Sequence, residues 1–256
     1  MGSIARVSTN SQVAALTFDD GPDPEYTPRL LDILEKYQAR ATFFMVGEAA
    51  QANPQLVRRI AEDGHTIGNH SWNHPSFPLI SGRERRAQIR ACAKAIAPYG
   101  ERFFRPPYSQ QNIVSRIDAF LLGYKVIMFD IWSDDWCGGT PETVARQLER
   151  RIHPGGIIVL HDKLSDALDR AYFNREPMLE GIEMFLNRMR GRFRFVTIPD
   201  LLSHGRALKK IWYREADLEL LNKLVIPRGA GRRYVRNPRS KWLDALVDLL
   251  VKPEHS

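Results

Sequence analysis

Two adjacent carboxylates, Asp19 and Asp20, close the apolar run of residues 13–18, and Gly21-Pro22 turns the chain straight after them. Neighbours within a strand point to opposite faces, but at its end a turn lets both converge on one rim. Two like charges buried together cost several kcal/mol unless a cation compensates them. A strand-ending turn with Asp as a local cap is the plainer alternative. Further on, His70-Ser71-Trp72-Asn73-His74 sets two histidines at i and i+4. On a helical turn that spacing puts both imidazoles on one face, within reach of one ion. Asp20 with His70 and His74 would give two nitrogens and one oxygen and leave a position for water, the pattern of a catalytic site. Imidazoles favour zinc, with cobalt, manganese or nickel as alternatives. The ion would act as a Lewis acid and lower the pKa of water. His65, on the same segment, is read as entering a strand and not as a ligand.

Three more clusters carry polar chemistry. In Arg105-Pro106-Pro107-Tyr108 the prolines stiffen a turn that can aim the Tyr108 N–H at a developing oxyanion, and Arg105 can hold a carboxylate ionised. Asp134-Asp135-Trp136 is the fourth cluster. The fifth is His161-Asp162, after the apolar run 157–160. A histidine at a strand end beside a carboxylate from a neighbouring strand suits a general acid. Each cluster alone has a bland explanation in a turn, a loop charge pair or a core-edge histidine.

The elements that must position these residues follow from hydrophobic period and punctuation. Strands are expected at residues 13–18, 41–46, 66–68, 102–105, 125–129, 157–160 and 194–198. Helices are expected at 27–37, from Pro54 to about Asp63, and at 82–96, 112–122, 177–190 and from the Thr140-Pro141 cap to Arg151. About seven β-then-α units mean an α/β fold with a parallel sheet, closed or nearly closed into a barrel. Every cluster then sits just past the C-terminal end of a strand, the face where such barrels build active sites.

The pattern changes near Ser203. Lys209, Lys210, Arg214, Arg228, Arg232, Arg233, Arg236, Arg239 and Lys241 make a basic segment, followed by an amphipathic stretch over 240–251 with Trp242, Leu243, Leu246, Leu249 and Leu250 at helical spacing. The division is a domain over 1–202 and a basic, partly helical extension over 203–256. Such a stripe usually docks on a core; the other reading is peripheral contact with an anionic membrane.

The 256 residues are 43% apolar and 26% charged, with a formal net charge of +7, which excludes a disordered chain and favours acidic partners. Nucleic acid is not expected, because the basic residues are largely confined to the tail and lack aromatic interleaving. The first ten residues lack the apolar core of a leader and no run is long enough to span a bilayer, so a cytoplasmic location, possible inner-membrane association included, is the expectation. Cys92 and Cys137 stand in no metal or redox spacing and are expected as buried free thiols, a single disulfide being the alternative.

The five clusters, in this order and spacing, resemble the motifs of the polysaccharide deacetylases, carbohydrate esterase family four, whose founding domain is that of the nodulation chitooligosaccharide deacetylases. The resemblance runs from about Val13 to Asp200 and does not reach the basic tail. It implies a distorted seven-stranded parallel β/α barrel, one divalent metal, commonly zinc, and hydrolysis of acetyl groups on an acetylated glycan. It implies Asp19 as general base, Asp20, His70 and His74 as ligands, and Arg105 orienting Asp19. It further implies the Tyr108 amide at the oxyanion, His161 as general acid tuned by Asp135, and Trp136, Val159 and Pro107 lining the acetyl pocket. Removal of N-acetyl groups from an N-acetylhexosamine glycan is the leading expectation. An O-acetyl esterase and a non-catalytic metal-binding scaffold are the alternatives. Three positions depart from the family pattern: Trp132 replaces an aspartate, Ser109 a glycine and Val159 a leucine.

Overall fold

The run Val13–Asp19 is the central strand, and its side chains alternate between two cores as period-two geometry requires. Ala14, Leu16 and Phe18 pack beneath the helices, whereas Val13 and Ala15 pack inside the curl of the sheet. The same parity carries Thr17 and Asp19 along the inner row to the strand's C-terminal end.

The computed structural model describes residues 2–226. Numbered in chain order, its strands are β1 (Ser3–Ser8), β2 (Val13–Asp19), β3 (Ala41–Met45), β4 (Thr66–Asn69), β5 (Gly100–Phe104), β6 (Lys125–Val126), β7 (Ile131–Trp132), β8 (Ile157–His161), β9 (Arg194–Val196) and β10 (Arg206–Lys210). Its helices are α1 (Tyr26–Lys36), α2 (Gly47–Ala52), α3 (Pro54–Glu62), α4 (Gly82–Ala95), α5 (Ile113–Leu121), α6 (Pro141–Arg151), α7 (Glu176–Met189), α8 (Ile198–Ser203) and α9 (Leu218–Lys223).

Seven parallel strands in the order β6-β5-β4-β3-β2-β8-β7 curl into a partial barrel, open between β6 and β7. The sheet is therefore α/β and barrel-like, and all seven expected strands lie in it, six of them on this path and the seventh, β9, off it. Residues 194–196 pair with Val13–Ala15 at the foot of β2, while the two-residue β7, which was not expected, takes the sheet's edge beside β8. The expected strand over 125–129 is shortened to Lys125 and Val126 beside β5, with the Ile127 N–H still donating to the Phe104 carbonyl at 2.9 Å. The carbonyls of Ile127 and Met128 instead accept from the Arg105 guanidinium at 3.2 and 3.3 Å, and the Met128 N–H donates to Ile4 of β1. β1, not anticipated, thus bridges the seam, since Val7 also donates to the Gly155 carbonyl.

β10 pairs antiparallel with β1, which ties residues 206–210 to the body of the fold. Trp212 then packs on Phe129, and Leu221 of α9 is buried. The amphipathic stretch 240–251 lies outside the described residues. Among the described residues, no helix is long and apolar enough to cross a membrane. Cys92 is buried as expected, but Cys137 is exposed on the loop after β7, and both are free.

His65 precedes β4 as expected, buried, its Nδ1 accepting the Ala41 N–H at 3.1 Å. Burial, with Arg40 nearby, pushes its pKa down to about 4 from an ordinary 6.5. The folded state thus favours the neutral ring: this stability is complete above about pH 6.5 and drains away as pH falls toward 4. His65→Asn can still accept from Ala41 but cannot titrate. Urea titrations from pH 7 to 4 are expected to show the wild type losing a few kcal/mol more than the variant; parallel losses would contradict this.

Candidate active site

The loops that follow the strands meet at one end of the sheet, and their backbones are strained there. Asp20, Ser71, His74, Tyr108, Ser109 and Asp134 all have positive φ, between 55° and 74°. L-residues adopt that conformation at a cost, and such outliers cluster at functional sites.

Asp19 follows the inner row of β2 and is 4% exposed. Its Oδ1 accepts from Arg105 Nη1 at 2.7 Å, and the same nitrogen donates to Thr17 at 2.7 Å. Arg105, 0% exposed, also lies over the Phe44 ring at 4.2 Å, a fit that Gly68 permits: a Cβ there would fall 2.6 Å from that ring. The positive φ of Asp20, 74°, turns the next carboxylate toward the histidines. Gly21 behind it packs against buried Asp162; a Cβ would stand 2.2 Å from that carboxylate. Burial pushes the Asp162 pKa up to about 7, against a hydrogen bond from Thr27.

His70 and His74 converge, but not on a helical turn. The segment is an irregular loop in which Ser71 and His74 both have positive φ. Side chains impose that path. Asn69 accepts the Ser71 N–H at 2.9 Å, Gln88 accepts those of Trp72 and Asn73 at 2.9 and 3.1 Å, and the Ser71 hydroxyl accepts that of His74 at 3.1 Å. Both Nε2 atoms come to 3.3 Å from Asp20 Oδ1. His70 Nδ1 donates to the Arg105 carbonyl at 2.7 Å, so its Nε2 presents a lone pair. Asp20 Oδ2 accepts from the Ser165 N–H at 2.8 Å, while Oδ1 is buried without a hydrogen-bond partner. Ligand atoms of Asp20, His70 and His74 all lie within 4.8 Å of one another, a group able to hold a metal ion. A buried acceptor facing two imidazole nitrogens is the local reason a cation fits there. The other Asp19 oxygen, Oδ2, looks into the same space, 4.0 Å from His70 Nε2.

Across from this group, His161 ends β8 and its ring Nδ1 stands 3.3 Å from Asp135. Burial acts to lower the His161 pKa, but Asp135, with Asp20 and Asp19, outweighs it and raises the value. For Asp135 burial acts upward and is outweighed by His161 and Arg175, which hold it below the usual carboxylate range. Trp136 meets the His161 ring edge-on at 5.5 Å. Val159 is buried and shares the inner row of β8 with His161, and Pro107 is buried in the turn after β5. Tyr108, φ 55°, and Ser109, φ 57°, both occupy left-handed backbone, and Ser109 does so where the family pattern has glycine. Trp132, where that pattern has aspartate, is exposed with Arg151 over its ring. The catalytic, ligand and pocket candidates thus lie at or just past the C-terminal ends of β2, β4, β5, β7 and β8 or, like Val159, in the inner row.

Three neighbours were not anticipated. Arg175 is buried, donates to the Asp135 carboxylate and to its carbonyl at 2.9 Å, and reaches the His161 carbonyl at 3.1 Å. Ser165 and Asp166 come from the loop after β8. No local pattern marks any of the three. A recess of about 370 Å³ between β10 and α5, lined by Arg116, Lys209 and Tyr213, contains none of these residues; the titratable groups, not the volume, locate the chemistry.

Comparison with known proteins agrees with the geometry. The profile of the family described as "Polysaccharide deacetylase" matches residues 6–127. A peptidoglycan-N-acetylglucosamine deacetylase of Bacillus cereus is 33% identical over 203 residues, 77% of this chain and 92% of that protein. The chain belongs to the polysaccharide deacetylase family. The crystal structure of a peptidoglycan N-acetylglucosamine deacetylase bound to 4-naphthalen-1-yl-N-oxidanyl-benzamide superposes with a TM-score of 0.71 at 29% identity, covering 80% of this chain and 94% of that one. A mutant of a family pseudoenzyme superposes with a TM-score of 0.70 at 26% identity, over 80% of this chain and 72% of that one. The family therefore includes members without activity, and the site residues, not the fold, must carry any functional argument.

Proposed function

We propose that this chain is a divalent-metal-dependent hydrolase that removes N-acetyl groups from an oligo- or polysaccharide containing N-acetylhexosamine. The observation that carries the reading is the meeting of Asp20, His70 and His74 beside a carboxylate, Asp19, that Arg105 grips by one oxygen only. Asp20, His70 and His74 hold the ion; two imidazoles and a carboxylate suit zinc, with cobalt, manganese and nickel as alternatives. Such an ion supplies Lewis acidity at the scissile carbonyl and eases the loss of a proton from water.

The chain's own residues do the rest. Arg105 fixes Oδ1 of Asp19 at 2.7 Å, which leaves Oδ2 to take the proton of the attacking water. The Tyr108 N–H donates to the oxygen that gains charge as the carbonyl becomes tetrahedral. His161, whose pKa Asp135 raises, gives a proton to the departing amine. Arg175 holds Asp135 in place for that role. Trp136, Val159 and Pro107 form the wall against which the acetyl methyl packs. The names of the relatives favour the amide-linked acetyl of N-acetylglucosamine.

The test incubates the full chain with an N-acetylglucosamine oligomer, a peptidoglycan fragment and an acetylated xylan, and measures acetate. Release from the amide-linked substrates is expected, lost on chelation and restored by zinc. Release from xylan alone would reassign the chain to ester hydrolysis. No release from any substrate by the zinc-loaded chain would leave a non-catalytic scaffold.

A further inference from the structure

His70 and His74 present the same ring atom, Nε2, to Asp20 at the same distance, 3.3 Å, yet they are oriented by different groups. Behind His70 stands the Arg105 carbonyl, 2.7 Å from Nδ1. Behind His74 stands Oδ2 of Asp166, 3.5 Å from Nδ1. An imidazole that binds a metal gives its second ring N–H to a carbonyl or carboxylate; the partner fixes tautomer and ring plane and makes the other nitrogen a better donor. Asp166 has the chemistry for that part, and its side chain is only 8% exposed.

The surroundings of Asp166 are built rather than incidental. Its Oδ2 also accepts from the Tyr108 hydroxyl, and the Tyr108 ring lies against the His74 ring with centroids 4.4 Å apart. The residue before it, Ser165, donates its N–H to Asp20. The residue after it, Ala167, exchanges both backbone hydrogen bonds with Val225, at 3.0 and 2.8 Å. A three-residue stretch thus touches two of the three metal-holding residues and is anchored by the chain that follows β10. The Tyr108 turn is anchored by the same segment, where Gln111 and Arg214 exchange hydrogen bonds of 3.2 Å.

We propose that Asp166 is a positioning residue of the metal centre. It keeps the His74 proton on Nδ1 and the Nε2 lone pair toward the ion, and it ties that ligand to the Tyr108 turn. The inference rests on the metal-dependent reading above and deepens it: the site has a fourth contributing carboxylate, from a loop that no motif includes.

The test measures zinc affinity of the full chain by competition with a chromophoric chelator, for wild type, Asp166→Asn and Asp166→Ala, beside the melting temperatures of the metal-free proteins. Zinc dissociation constants are expected to rise by about 10- to 100-fold, more for alanine than for asparagine, which keeps an acceptor for Tyr108. Metal-free melting temperature is expected to stay at the wild-type value in Asp166→Asn, where the shape is unchanged. Wild-type zinc affinity in both variants would overturn the proposal. A wild type that takes up no zinc would overturn the metal reading itself.

Discussion

Asp19→Asn is expected to lower kcat/KM for acetate release by about two to four decades, the worth of a general base. The amide has the size of the carboxylate and can still accept from Arg105, but it cannot take a proton from water. Asp19 stands 4.0 Å from His70 Nε2 and is not among the three residues whose ligand atoms cluster, so the variant is expected to bind zinc as the wild type does. Measured together, rate and zinc affinity separate the two roles. An unchanged rate would remove Asp19 from the chemistry; a rate lost in step with zinc would make it a ligand.

Arg105→Met carries the largest expected cost in stability. The guanidinium is 0% exposed and serves Asp19, Thr17 and the carbonyls of Ile127 and Met128 at once. Methionine fills much of the volume over Phe44 but leaves a buried carboxylate with no counter-charge, a loss of about 3–5 kcal/mol. Two carbonyls at the open seam of the sheet lose their donor as well. Lysine is expected to recover little, because one ammonium cannot span the directions that the planar fork reaches. Urea denaturation at pH 7 measures the difference, and a variant as stable as the wild type would mean that the Arg105–Asp19 pair does not stabilise the fold.

Much of the site was legible because it depends on local rules. The alternation of Val13–Asp19 fixes which side chains face the inner row, so Asp19 had to point inward once the strand was recognised. The clusters after β2, β4, β5 and β8 fall on one face because parallel strands share a direction. The cluster at Asp135 was placed on the right face for a partly wrong reason: its supporting strand is β7, two residues long and too short to leave a hydrophobic period. The helical turn expected for His70–His74 failed for a related reason. Asn69, Ser71 and Gln88 outbid helical backbone bonding with side-chain acceptors, and a histidine at positive φ is not forecast by spacing.

The amino-acid sequence by itself determined the order of β and α units, the face on which the chemistry gathers, and the donor types Asp20, His70 and His74, because periodicity, punctuation and side-chain chemistry are properties of neighbouring residues. Only the tertiary structure decided where the barrel stays open, that Arg105 closes the ends of β6, and that Arg175 and Asp166 stand behind His161–Asp135 and His74. Those partners come from 22, 40 and 58 positions away along the chain in the contacts of Arg105 with Ile127, Arg175 with Asp135 and Asp166 with Tyr108. Contacts of that kind leave no pattern in the local order of residues, because they exist only when packing brings distant segments to the same point.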